Sequence, residues 1–102
     1  MTRLEQLLAF HASNPADSFI LFALAKEHEK LGDDEKALHY YLKIREHDPA
    51  YVGMYYHLGK LYERLDNPSE ALETYVKGMD IAQQAGDRHA WSELAEAKLM
   101  LE

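Results

Sequence analysis

The chain has 102 residues, 47% of them hydrophobic and 28% charged, which suits one soluble domain with its own core. It has no cysteine, so disulfide bonds, thiolate metal sites and a cysteine nucleophile are excluded. The formal net charge of −7 argues against nucleic acid or a membrane surface as the main partner. No apolar run reaches the ~20 residues of a membrane helix, and Glu5 and Gln6 interrupt any signal-peptide core, so we expect a cytoplasmic protein.

Helical spacing of apolar residues and helix-end signals together predict six helices. Their predicted bounds are residues 3–13, 16–31, 34–47, 50–65, 68–84 and 88–100. Asn14, Asp48 and Asn67 each precede a proline, a pattern typical of an N-cap followed by proline in the first helical turn. Gly32-Asp33 predicts the end of one helix and the cap of the next.

The chain repeats itself with a period of about 34 residues, a length typical of repeat proteins. Ten positions between Pro15 and Lys43 are identical to the residue one period further on. The identical pairs are Pro15 and Pro49, Ala16 and Ala50, Leu24 and Leu58, Lys26 and Lys60, Glu29 and Glu63, Leu31 and Leu65, Ala37 and Ala71, Leu38 and Leu72, Tyr41 and Tyr75, and Lys43 and Lys77. A fixed period predicts a stacked array in which equivalent residues occupy equivalent places.

These repeats resemble the tetratricopeptide repeat, a pair of antiparallel helices with the pattern W-x2-L-G-x2-Y, A-x3-F and P. The second copy matches through Tyr55, Leu58, Gly59, Tyr62, Ala71 and Tyr75. The first copy is looser and matches through Leu21, Leu24, Ala25, Gly32, Ala37, Tyr41 and Pro49, with His28 where tyrosine is usual. The resemblance implies an all-α fold, with helix pairs stacked as a short right-handed α-solenoid.

The resemblance also implies an order of repeats along the chain. We predict a half-repeat helix at 1–14, repeats at 15–49 and 50–85, a terminal capping helix at 86–100, and a candidate tag remnant at 101–102. Small residues such as Ala25 and Gly59 are expected to let helix axes approach closely. Gly78 stands where alanine is usual, and Gln83 replaces the closing proline, so the fifth helix is expected to run on to about Gly86.

In this family the first helix of each pair lines a concave groove that binds a peptide or protein segment. The matching positions here are Phe19, Phe22, Lys26, Lys30, Gly53, Tyr56, Lys60 and Arg64. We expect apolar partner side chains against the rings and an acidic residue or terminal carboxylate at the cations. The full carboxylate clamp of the chaperone-binding branch is absent, because Phe22 and Tyr56 replace some of its polar groups. The alternative is a solvated helix face, on which Glu29 and Glu63 pair with Lys26 and Lys60.

Other chemistries find little support in the sequence. No two of the six histidines have the three- or four-residue spacing of helical metal ligands, so no metal or cofactor is expected. No serine lies on a glycine-flanked turn, so we expect an adaptor or scaffold and not an enzyme. His28 is expected in the core, and His39 and His47 on the surface. Trp91 and Leu94 either pack on helix 68–84 or, as the alternative function, join copies into a homo-oligomer.

Overall fold

The computed structural model describes residues 1–102 and contains six α-helices and no strand. The helices are α1 (Arg3–Ser13), α2 (Ser18–Lys30), α3 (Asp34–His47), α4 (Gly53–Arg64), α5 (Pro68–Ala85) and α6 (Arg88–Leu101). The predicted all-α fold of paired helices is confirmed. None of the helices combines the length and apolar character needed to cross a membrane. The chain divides into two compact units, which we call unit 1 (Met1–Pro49, with α1 to α3) and unit 2 (Ala50–Glu102, with α4 to α6).

In unit 1, α2 packs against both α1 and α3. Residues of α2 and α3 that have no exposed surface form the core, namely Leu21, Leu24, Ala25, Ala37, Tyr41 and Ile44. On the α1 side, Leu7 packs against Ala23 and Leu24. His28 is buried, as predicted, and its ring stacks on Tyr40 with 5.5 Å between centroids. The histidine therefore fills the core position of the usual tyrosine.

In unit 2, α5 packs against both α4 and α6. Two glycines make this packing possible, because a Cβ on Gly59 would overlap the ring of Tyr75 and a Cβ on Gly78 would lie 2.5 Å from the Cβ of Tyr55. The expected close approach at Gly59 is confirmed. Gly78 departs from the family pattern for a local reason, since alanine at this position would collide with Tyr55.

Three of the predicted helix boundaries carry the expected caps. Asn67 accepts a hydrogen bond from the Glu70 N–H at 3.3 Å, with Pro68 in the first turn of α5. Gly32 ends α2 with φ +81°, and Asp33 caps α3. Gly86 likewise ends α5 with φ +70°, so the predicted extension of that helix is confirmed.

The predicted N-cap at Asn14 is wrong. Asn14 ends α1, where its side-chain amide donates to the Phe10 carbonyl at 3.3 Å. Asp17 caps α2 instead, accepting from the Ile20 N–H at 3.0 Å, so α2 begins at Ser18.

The predicted N-cap at Asp48 is also wrong. Its carboxylate accepts a hydrogen bond from the Ser18 hydroxyl at 2.6 Å, within unit 1. The helix that follows, α4, begins at Gly53 and has no side-chain cap. Asp48 therefore ends α3, just as Asn14 ends α1, and in both repeats the next helix begins four or five residues later.

Candidate functional site

Four residues of α2 share one side of the helix, because they recur at spacings of three and four. We call this set the α2 face: Phe19, Phe22, Lys26 and Lys30. The side chain of Phe19 is 71% exposed, and the half-buried ring of Phe22 meets that of Tyr41 edge-on at 6.2 Å. Lys26 and Lys30 are exposed. Unit 1 thus presents aromatic surface near the start of α2 and positive charge near its end.

The equivalent residues of α4 form the α4 face: Gly53, Tyr56, Lys60 and Arg64. The Lys60 Nζ lies 5.6 Å from the centroid of the Tyr56 ring, a cation–π arrangement. The ring of His57 meets that of Tyr56 edge-on at 5.5 Å. Arg64 is exposed, and Gly53 leaves the first position of this face without a side chain. Unit 2 therefore repeats the order of aromatic surface followed by positive charge.

Each unit also contains a tyrosine–glutamate hydrogen bond that joins the two helices of a pair. The Tyr41 hydroxyl donates to Glu29 in unit 1, and the Tyr75 hydroxyl donates to Glu63 in unit 2. Both tyrosines are fully buried and both glutamates are half-buried. The predicted pairing of Glu63 with Lys60 is present, and each glutamate in addition accepts a hydrogen bond from a buried tyrosine, a contact not predicted from the sequence. The available signal was their joint identity across the repeat, because both members of each pair recur one period later.

The Tyr75–Glu63 hydrogen bond lies beside a charged residue of the α4 face, Lys60. The Lys60 Nζ lies 3.7 Å from the same Glu63 oxygen that accepts the Tyr75 hydroxyl. Burial, followed by the hydrogen bond and the negative charge of Glu63, raises the pKa of Tyr75 above its usual range. The hydroxyl thus remains a donor, and the Lys60 ammonium is held between the Glu63 carboxylate and the Tyr56 ring.

Outside these faces, α5 and α6 form an open pocket of about 400 Å³ at their junction. It is lined by Ala82, Gln83, Gly86, Asp87, Arg88, Trp91 and Ser92. Leu94 is buried, whereas the side chain of Trp91 is 40% exposed. The predicted packing of this region on α5 is therefore confirmed for Leu94 and only partial for Trp91.

The histidines of unit 1 gather around one ring. His11 and His39 approach Tyr40 edge-on at 5.9 and 5.4 Å, and His28 stacks on the same ring. His39 and His47 are exposed, as predicted. No three His, Asp or Glu side chains of the chain are placed to hold a metal ion. The contacts around Tyr40 are those of aromatic packing.

Paired helices whose small residues, buried tyrosines and tyrosine–glutamate bonds recur at one fixed period define a helical repeat protein. The family model of the tetratricopeptide repeat matches residues 20–50 and 52–84, which is more than half of the chain. The chain therefore belongs to the tetratricopeptide repeat family.

Solved structures show the same fold. A tetratricopeptide repeat domain protein from Salinibacter ruber is 47% identical in its crystal structure, with a TM-score of 0.80 over 83% of this chain and 94% of that chain. The solution structure of a tetratricopeptide repeat domain protein from the same organism is 48% identical, with a TM-score of 0.83 over 86% and 89%. The type III secretion translocator chaperone SycD from Yersinia enterocolitica superposes with a TM-score of 0.87 over 96% of this chain and 68% of that chain. Its 12% identity shows a shared fold alone. A comparison with curated proteins gives no match.

Proposed function

We propose that this chain binds a peptide or protein segment on the α2 and α4 faces, with acidic groups of the partner held by their cations. Members of the tetratricopeptide repeat family are in general protein-interaction modules and not enzymes. The observation that carries the proposal is the position of the cations. Lys26 and Lys60 are equivalent, as are Lys30 and Arg64, in a chain whose net charge is −7.

The neighbouring rings support an amphipathic partner. Phe19 exposes most of its side chain, and the Lys60 Nζ lies 5.6 Å from the centroid of the Tyr56 ring. An apolar partner side chain can therefore pack on a ring while a carboxylate one or two turns further along the helix meets a cation. For a natural partner segment we expect micromolar affinity, or about −8 kcal/mol.

A charge reversal tests the proposal. The probe is the blocked peptide Ac-Gly-Ser-Leu-Gly-Ser-Glu-Glu-Gly-NH2, which we call the Leu–Glu peptide, titrated into ¹⁵N-labelled protein. Lys26→Glu with Lys60→Glu is expected to weaken binding at least tenfold and to remove most of its dependence on salt, because the attraction at both faces is reversed.

The matched control is Lys43→Glu with Lys77→Glu. It changes the net charge equally and again alters two equivalent positions of the repeat, but these lie on α3 and α5. The control should bind nearly as the wild type does, apart from a small general effect of charge. Equal losses in the two double variants would show that the α2 and α4 faces have no special role.

A second candidate function is self-association through α6. It is favoured by the exposure of three large apolar side chains on this helix, at 40% for Trp91, 72% for Leu99 and 80% for Met100. Leu99 and Met100 are adjacent, and exposed apolar surface often marks an interface. On this alternative, the chain is a structural subunit of a homo-oligomer, and its mass in solution depends on concentration.

A further inference from the structure

The first position of the α4 face is a glycine for which the fold shows no need. A Cβ built on Gly53 has no heavy atom within 4 Å, in contrast to the crowded Gly59 and Gly78. Its backbone is not in the left-handed region, which is occupied by Gly32 and Gly86. Glycine is also a poor helix former compared with alanine. Neither packing nor backbone conformation therefore accounts for the missing side chain.

The equivalent position in unit 1 is occupied by a ring. Phe19 lies one repeat before Gly53, and its side chain is 71% exposed. The α2 face thus begins with a projecting phenyl group, whereas the α4 face begins with bare backbone. The second position of the α4 face is Tyr56, whose ring contacts both His57 and the Lys60 ammonium. The α4 face therefore has open space at its first position and an aromatic ring at its second.

We propose that Gly53 opens a subsite that accepts a bulky aliphatic side chain of the bound segment, packed between the first turn of α4 and Tyr56, while Lys60 binds an acidic residue of the same segment. Bare backbone permits the close approach that this packing requires. The inference rests on the proposed function and specifies which partner residues the α4 face selects.

The spacing within the ligand follows from helix geometry. Lys60 lies seven residues after Gly53 on the same side of α4, a distance of about 10 Å at 1.5 Å per residue. An extended peptide spans about 10 Å in three residues. A segment with an aliphatic residue and an acidic residue three positions apart can therefore reach both points, and the Leu–Glu peptide has this spacing.

Two substitutions at one position test the subsite. Gly53→Phe fills it with the side chain found at Phe19, and Gly53→Ala adds a single methyl group as the control. The probes are the Leu–Glu peptide and a second peptide with alanine in place of leucine, which we call the Ala–Glu peptide. Both are titrated into ¹⁵N-labelled protein, and circular dichroism checks the helix content of each variant.

The wild type is expected to bind the Leu–Glu peptide roughly tenfold more tightly than the Ala–Glu peptide, as burial of the larger side chain predicts. Gly53→Phe should lower the affinity for the Leu–Glu peptide to that for the Ala–Glu peptide and leave the latter unchanged. Gly53→Ala should keep most of the preference.

Other outcomes overturn the inference. If the wild type shows no preference between the peptides, or if Gly53→Phe binds the Leu–Glu peptide as well as the wild type does, there is no subsite at Gly53. In that case, a loss of binding in the Lys26 and Lys60 double variant still supports the proposed function. If neither peptide shifts any amide resonance of α2 or α4, the proposed function fails and the subsite fails with it.

Discussion

The Tyr75 hydroxyl links the core of unit 2 to its exposed face. The ring is fully buried beneath Gly59, and the hydroxyl donates to Glu63, which in turn lies 3.7 Å from the Lys60 ammonium. A hydrogen bond to a charged acceptor contributes about 1.5–3 kcal/mol, more than one between neutral groups. One buried oxygen atom thus stabilises the α4–α5 pair and restrains a cation on the α4 face.

Tyr75→Phe should lower the free energy of unfolding by about 1–2 kcal/mol at neutral pH, because it removes this donor and leaves the ring in place. The effect should depend on pH. Since the pKa of Tyr75 is raised in the folded state above the ordinary tyrosine pKa of about 10, the unfolded chain binds fewer protons once the pH exceeds that ordinary pKa. The contribution of Tyr75 is therefore complete below about pH 10 and declines above it.

Urea denaturation of the wild type and of Tyr75→Phe, from pH 7 to pH 11, measures this difference. The gap between the two unfolding free energies should be constant up to about pH 10 and then shrink. Tyr56→Phe is the control, because it removes a hydroxyl from the α4 face and leaves the Tyr75–Glu63 bond intact. Curves for wild type and Tyr75→Phe that stay parallel at alkaline pH would contradict the assignment.

At the scale of helices, the α4–α5 pair depends on the absence of one methyl group. Gly59→Ala should lower the free energy of unfolding by about 1–3 kcal/mol, because the new Cβ would overlap the buried Tyr75 ring, which the Glu63 hydrogen bond restrains. Gly53→Ala, on the same helix and without neighbours, should be neutral or stabilising by up to ~1 kcal/mol. Thermal denaturation of both variants compares them directly, and equal stabilities would exclude close packing at Gly59.

The ends of the helices show how far local sequence signals reach. The Gly32-Asp33 break and the Asn67-Pro68 start could be predicted, because each cap forms within a few residues of chain. The starts of α2 and α4 could not, because Asn14 and Asp48 each end the preceding helix. The Asp48 carboxylate instead accepts from Ser18, 30 residues away. Whether an aspartate caps its own helix or binds another segment depends on the tertiary fold.

The candidate site likewise has features that the sequence predicts and features that depend on the tertiary fold. The stripe of residues from Phe19 to Lys30 follows from helical periodicity, and its counterpart on α4 follows from the sequence repeat. The role of Glu63 as acceptor for Tyr75 could not be predicted from periodicity, because the bond crosses between two helices and depends on how each is rotated. Repeated identity of Glu29 with Glu63 and of Tyr41 with Tyr75 was the one indication that these residues act together.

For the molecule as a whole, the net charge of −7 opposes association between copies, whereas the exposed side chains of α6 favour it. The few exposed apolar side chains of α6 offer much less than the ~800 Å² per partner that a stable interface buries, so we expect a monomer. Sedimentation equilibrium across a dilution series tests this best at high salt, because salt screens the repulsion between copies and leaves apolar attraction in place. Under those conditions the measured mass should stay that of one chain at every concentration. A mass that rises with concentration, and returns to that of one chain in Leu99→Lys, would favour the structural subunit joined through α6.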